Sequence, residues 1–255
     1  MTFTERDKLK ALAIVHVFET SRPFGDYAAC AVLNDGAGVS YGINQFTHRS
    51  GSLAAVVQSY VDRGGMIGKD ILNSRLPQLR RRSTAAIAKL AADGQSKAAL
   101  RAAAVAREMK EAQAAVAFER YLEPAMAICL RYGFTHALSL AIVYDSVTHG
   151  SWQWISERVS PPLTANGDES TERTWITEYV RLRHRWLTEV RRLRATNYRT
   201  KFFLDQIAVG NWELRMPVTV QGLRLTDAMF LAANQPEAVA TKISNPVVNL
   251  TEAGV

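Results

Sequence analysis

Apolar residues crowd the stretch from 5 to 19 more densely than a single amphipathic stripe requires. Leu9, Leu12, Ala13, Ile14, Val15, Val17 and Phe18 cover most of a helical wheel. This predicts a first helix buried on nearly all sides. Thr2 and Thr4 precede it as candidate caps, with Glu5 and Asp7 in the opening turn. Thr20, Ser21, Pro23 and Gly25 break the pattern just past Glu19. Two short extended runs follow, 27–33 and 39–46, around Asn34-Asp35-Gly36-Ala37-Gly38. That arrangement predicts a hairpin or small sheet with Asp35 on its rim.

From Ser52 onward the helical period dominates. Helices are predicted over 52–63, about 68–79, an Ala-rich 83–120 that divides into two near Asp93-Gly94, 123–132 and 135–147. Segment 160–170 reads as a polar loop. A long Arg-rich helix over about 171–196 comes next, then a shorter one over 199–209, an extended run over 218–225, a short helix and an irregular end. No internal repeat, low-complexity tract or long linker forces a domain boundary. The element inventory is mainly helical, with a small β component.

Composition narrows the class. With 255 residues, 47% of them hydrophobic and 22% charged, the chain can build a core without a covalent staple. Its two cysteines, Cys30 and Cys129, read as buried free thiols rather than a disulfide framework. The charged start MTFTERDKLK lacks the apolar segment of a secretory signal, and no run approaches the length of a membrane span. The expectation is a soluble protein made in the cytoplasm, without membrane insertion. A substrate outside the membrane would require delivery by another agent.

The net charge of +7 favours an anionic partner. The excess is uneven. Arg181, Arg183, Arg185, Arg191, Arg192, Arg194 and Arg199 crowd one segment with only Glu189 among them. Either a solvated helix face or a polyanion-facing surface fits that pattern.

Two carboxylates stand out. Glu19 closes an apolar helix beside Phe18 and Val15, a setting that disfavours the charged form and suits a general acid, on the unfavourable side of the helix dipole. A residue projecting to solvent past the helix end is the plainer alternative. Asp35 lies in a glycine-flanked, water-exposed turn that keeps a carboxylate ionised and suits a general base, although Asn-Asp-Gly is also ordinary turn chemistry. As a pair they supply environments that drive their proton affinities apart.

With these residues in place the sequence resembles glycoside hydrolase family 46, the chitosanases, within the lysozyme-like superfamily. The resemblance rests on Glu19, then Asp35-Gly-Ala-Gly-Val-Ser40-Tyr-Gly-Ile-Asn-Gln45-Phe. It extends to Ser50-Gly-Ser-Leu-Ala-Ala-Val-Val-Gln-Ser-Tyr60, Val143-Tyr-Asp145-Ser-Val-Thr-His149-Gly, and Phe202-Phe-Leu204 to Asn211. It implies a two-lobed fold, mainly α (α+β), with the small sheet in a minor lobe of about 25–80, a major lobe of about 1–24 and 81–255, and a substrate cleft between them. It also implies an inverting glycosidase, with Glu19 as acid, Asp35 as base and Ser40 holding the attacking water. Tyr41, Asn44, Gln45, Thr47, Ser52 and His149 are then the substrate-binding candidates. Asp145 would belong to a buried charge network with Arg199 or Lys201 as its basic partner.

Departures from the family pattern bear on the substrate. Ser52 stands where the family typically has an acidic residue that grips an amino group, and Ala37 where its Asp-Gly-Arg-Gly pattern has arginine. A basic protein is also poorly matched to a polycation. The expected substrate is therefore peptidoglycan or another amino-sugar polysaccharide, cleaved as by phage lysins or bacterial effectors in the periplasm. A delivery system or immunity protein could accompany it. Chitosan is the alternative substrate. A helical nucleic-acid-binding protein is a third reading, but it leaves Glu19, Asp35 and the stretch from Ser40 to Gln45 unexplained.

Other features carry less. His16 reads as a core histidine, and His48, His136, His149 and His184 lack metal-ligand spacing, so neither metal nor cofactor is expected. Trp152, Trp154, Trp175, Trp186 and Trp212 could stack on sugars, but helical spacing favours packing for most. Gly36 and Gly38 make no phosphate loop.

Overall fold

A computed structural model describes residues 3–32, 35–160 and 169–233. The chain is two-lobed and mostly helical, with two separate apolar cores. The larger core is built around α1 (Glu5–Thr20) and α8 (Ala137–Thr148), which pack against each other. Residues from Lys10 to Phe18 in α1, apart from Leu12, and all residues from Ala137 to Ser146 in α8 are buried. The broad apolar run at the start of the sequence is thereby accounted for: beyond its first turn α1 has almost no solvent face to keep polar. Thr4 caps it in a reciprocal box with Asp7, its Oγ1 accepting from Asp7 N at 3.2 Å while its own N–H donates to Asp7 Oδ2 at 3.1 Å. The helix stops at Ser21, which turns left-handed at φ 57°.

The smaller core gathers round a three-stranded antiparallel sheet, β1 (Cys30–Val32), β2 (Val39–Tyr41) and β3 (Phe46–Thr47). Val32 pairs with Val39 across the turn that bears Asp35. Leu33 and Asn34 of the predicted hairpin lie outside the described residues. A third strand, β3, was hidden inside the expected run 39–46, because the chain doubles back through Gly42 at φ +74°.

Helices α2 (Ser52–Asp62), α3 (Lys69–Leu79), α4 (Thr84–Ala92), α5 (Gly94–Ala103) and α6 (Arg107–Ala117) pack on this sheet. The smaller core runs from Val39 to Ala117, because Leu90, Leu100, Met109 and Val116 turn their apolar faces toward it. Instead of two helices, the Ala-rich segment forms three, and Asp93 and Ala106 are the breaks between them. A π-helical stretch, Phe118–Leu122, then joins α6 to α7 (Glu123–Tyr132), where the two cores meet.

The remaining elements complete the larger lobe. They are α9 (Trp152–Ser156), α10 (Glu169–Glu189), α11 (Tyr198–Ala208), the hairpin β4 (Val218–Val220) and β5 (Leu223–Leu225), and α12 (Asp227–Ala233). The Arg-rich helix ends at Glu189, before the expected 196, and a short 3₁₀ turn at Arg194–Thr196 leads into α11. The extended run 218–225 is a tight hairpin whose turn residues Gln221 and Gly222 both take positive φ. Most of the expected loop 160–170 and the irregular end lie outside the described residues.

Cys129 is buried and Cys30 only partly so, and both are free thiols. No helix among the described residues is long and apolar enough to cross a membrane.

Candidate active site

Glu19 leaves the buried helix α1 in its last turn, where the larger lobe meets the smaller. Its side chain retains 16% of its exposure, and Oε1 accepts from Arg199 Nη2 at 2.6 Å. The setting is thus not simply the apolar one that Phe18 and Val15 suggested. Arg199 comes from the first turn of α11 and is itself buried, stacked near the rings of Phe18 and Tyr198.

The guanidinium of Arg199 is shared. Its Nη1 donates to Asp145 Oδ1 at 2.7 Å, and Arg183 Nη1 donates to Asp145 Oδ2 at 2.5 Å. Asp145 and Arg183 are both 0% exposed, and Arg183 Nε donates further to Ser151 Oγ at 2.9 Å. Burial works against the charge on Asp145, but Arg183 and Arg199 outweigh it and hold the carboxyl below the usual carboxylate range. Burial likewise opposes the charge on Arg199, and the carboxylates of Asp145 and Glu19 more than offset it, so its pKa is raised.

Of the two basic partners expected for Asp145, Arg199 is present. Lys201 is not: it is 68% exposed and pairs with Asp205 at 2.9 Å one turn along α11. Arg199 and Lys201 are two residues apart, so in a helix they point to different sides. Arg183 was missed. Its signal was an arginine inside the apolar stripe Ile176, Tyr179, Val180 and Leu187, where solubility alone would not place one.

His149 follows α8 and lies edge-on to Trp186. Burial and the nearby Arg183 cation push its pKa down to about 4, so the ring is neutral at neutral pH. Asp145 opposes that shift, and His149 thus belongs to the surroundings of the charge network.

On the other side of the junction Ser40 sits in β2, the central strand, paired with Ala31 and Thr47. It is buried, and its hydroxyl donates to Gln45 Oε1 at 3.0 Å. Gln45 in turn donates to Gly42 O at 3.1 Å, which fixes the tight turn between β2 and β3. Asn44 donates to the Tyr144 hydroxyl at 2.9 Å, linking this turn to α8 of the larger lobe. Tyr144 has its pKa raised by burial and by the nearby Glu19 charge.

Tyr41 does not line a substrate surface. It is fully buried, with its hydroxyl donating to Leu100 O at 2.7 Å, because β2 directs it into the smaller core. Ser52 is buried too, and its hydroxyl is already engaged, accepting from Thr47 N at 3.0 Å and meeting Ser50 Oγ at 2.7 Å. Thr47 Oγ1 donates to Ser50 Oγ at 2.9 Å, so the Thr47, Ser50 and Ser52 hydroxyls form one knot at the start of α2. The π-helical Tyr121 joins this knot to the acid, since its hydroxyl interacts with Ser52 and feels the charge of Glu19. Sequence reasoning gave no reason to single out Tyr121, because a π-stretch has no pattern of its own.

Asp35 is exposed at the tip of the β1–β2 turn, where its Oδ1 accepts from Ala37 N at 2.8 Å. The same turn is tied by Arg49 N to Ala37 O at 3.0 Å, three residues before Ser52.

Among the described residues no cluster of three or more histidine, cysteine or acidic side chains could hold a metal ion. Trp175 and Trp212 are buried, while Trp154 is half exposed beneath Arg158.

Comparison with known proteins gives consistent results. The sequence model described as Glycosyl hydrolase family 46 matches residues 13–218, a span that includes Glu19, Asp35, Asp145 and Arg199. A chitosanase of Bacillus subtilis (strain 168) is 27% identical over 190 residues, 69% of this chain and 66% of that enzyme. The match thus spans just under two thirds of that relative. Among solved structures, a Gynuella sunshinyii chitosanase in complex with chitotetraose superposes with a TM-score of 0.75 at 21% identity, covering 89% of this chain and 99% of the other. A mutant chitosanase from Bacillus subtilis MY002 complexed with 6 GlcN gives 0.76 at 20% identity, covering 88% and 99%. At such identities the superpositions speak for the fold.

Proposed function

This chain belongs to glycosyl hydrolase family 46, and from that footing we propose that it is a glycosidase that hydrolyses the β-1,4 bonds of an amino-sugar polymer, chitosan first among them. The observation that carries the proposal is the family match over 13–218, which contains both carboxylates. The similarity to a chitosanase over two thirds of this chain supports chitosan.

In this reading Glu19 protonates the leaving glycosidic oxygen and Asp35 activates water on the opposite face of the sugar. Arg199 holds the Glu19 carboxyl by one oxygen, leaving the other for the substrate. Asp145 and Arg183 keep Arg199 in place from behind. Ser40 helps hold the attacking water from β2. The role of Gln45 is to hold Ser40, and that of Asn44 is to join the sheet to α8.

A second substrate, the glycan strand of peptidoglycan, is favoured by one feature of the smaller lobe. Arg81 and Arg82 carry no carboxylate partner among the described residues, and Arg82 lies against Gly51 in the hydroxyl knot. A cationic rim suits a polymer that bears carboxylates better than a polycation. Under this reading the enzyme works on the cell wall after delivery. Measuring reducing ends released from chitosan beside turbidity loss of purified cell walls tests both. Release from chitosan alone supports the first substrate, clearing of walls alone supports the second, and neither activity in folded protein refutes the glycosidase assignment.

A further inference from the structure

Arg49 stands outside the charge network, yet both its backbone and its side chain grip the turn that carries Asp35. Its N–H donates to Ala37 O at 3.0 Å, and its Nε donates to Gly36 O at 2.6 Å. Gly36 takes φ +77°, and a β-carbon added there would lie 3.3 Å from Arg49 Nη2, so the guanidinium rests against the face that glycine leaves bare. Asp35 itself is tied only within its own turn, through Oδ1 to Ala37 N, and its second oxygen has no hydrogen-bond partner among the described residues.

We propose that Arg49 is a positioning residue for Asp35, clamping the exposed β1–β2 turn so that the free carboxylate oxygen is held where water must be activated. The proposal rests on the reading of Asp35 as the base. Gly38 anchors the far end of the turn against Ile87 and His48, but Asp35 and Gly36 are exposed, and little packing fixes a side chain there. The clamp supplies a fixed point, because Arg49 grows from a rigid corner. The next residues, Ser50 and Ser52, are locked to Thr47 by hydroxyl hydrogen bonds at the start of α2. A bond from a charged donor to a carbonyl is stronger and more directional than a neutral one. Arg49 thereby transmits the rigidity of the β3–α2 corner to the turn opposite it. Among the described residues no hydrogen bond or ion pair joins Arg49 or Asp35 to Glu19, so the clamp acts on the base alone.

The test uses the full chain with Arg49→Ala, Arg49→Lys, Asp35→Asn and the double variant Asp35→Asn with Arg49→Ala, assayed by reducing-end release from the polymer that the wild type cleaves. Arg49→Ala is expected to lower kcat by about 10- to 100-fold, the usual effect of displacing a reacting group by an ångström or so. KM should stay within about twofold, since no substrate contact is lost. Arg49→Lys, which can still reach the Gly36 carbonyl with a charged donor, should recover part of the loss. The double variant should be no slower than Asp35→Asn, because a base already removed cannot be mispositioned.

If Arg49→Ala keeps wild-type kcat while Asp35→Asn is inactive, the clamp is not needed and the proposal fails alone. A rise in KM with kcat unchanged would make Arg49 a substrate contact and would also overturn it. If Asp35→Asn retains full activity, the base reading and the clamp fall together. Should Arg49→Ala not fold, Arg49→Gln, a neutral donor of similar reach, decides in its place: wild-type kcat there refutes the need for a charged clamp.

Discussion

Arg199 Nη2 meets Glu19 Oε1 at 2.6 Å across 180 residues of sequence, and so the end of α1 is fixed by the start of α11. The acid candidate is placed by long-range electrostatics as much as by its own helix. The same guanidinium reaches Asp145, so any change at Asp145 is felt at Glu19.

Asp145→Asn should therefore be destabilising as well as catalytically harmful. It would leave Arg183 and Arg199 buried with their shared anion gone, a loss of about 3–5 kcal/mol for a broken buried pair. Denaturant unfolding of the wild type and variant measures it. A loss under about 1 kcal/mol, the range of exposed pairs, would show that the network is solvated rather than buried.

Glu19→Gln keeps the shape and removes the proton donor. It should reduce kcat by roughly 10²–10⁴-fold with substrate binding retained. Asp35→Asn should be comparably severe, and Ser40→Ala milder, because it would disturb only the position of the water. Product analysis at the first turnover should show an inverted anomeric centre, as expected for direct attack by water. Retained configuration would make Asp35 a nucleophile or stabiliser.

Stability should fall with acid in a window set by the buried His16 and the half-buried His149. His16 and His149 both have folded pKa values pushed down to about 4, by burial first, against an unfolded value near 6.5. Between those limits the unfolded chain binds more protons than the folded one. The stabilisation is thus complete above about pH 6.5 and is lost as pH falls toward 4. Each histidine contributes roughly 3 kcal/mol over that range, from the pKa difference at 1.36 kcal/mol per unit. Melting curves from pH 7 to pH 4, compared with those of His149→Asn, should show a shallower acid slope in the variant. An unchanged slope would mean that His149 is not held neutral.

Polymer binding is expected to weaken with salt if the exposed Arg185, Arg191, Arg192 and Arg194 face an anionic glycan. Binding to purified cell walls across a range of ionic strength measures this. Insensitivity to salt would leave those arginines as a solvated face. Arg183 and Arg199, counted in the same basic segment of the sequence, take no part in it, since both are buried against Asp145.

Local chemistry along the chain was enough to place α1 and its stop next to Glu19, and to narrow its cap to Thr2 or Thr4, of which the fold uses Thr4. Apolar periodicity and turn residues act within a few positions and leave their mark directly in the sequence. The Asp35 turn and the helices from Ser52 were legible for the same reason, and the ordered motifs from Glu19 to Asn211 pointed to the family. What the sequence left open were contacts made by chain distant in sequence. It offered Lys201 and Arg199 equally as partners for Asp145, and only the packing of α11 on α8 selected Arg199, turning Lys201 to solvent. Tyr41 lay in a substrate motif, yet strand alternation and the position of α5 buried it under Leu100. Arg183, Tyr121 and Arg49 became visible only when helices and turns far apart in sequence were brought together. Charge pairing over such separations depends on which faces the cores bury, and no local pattern encodes that choice.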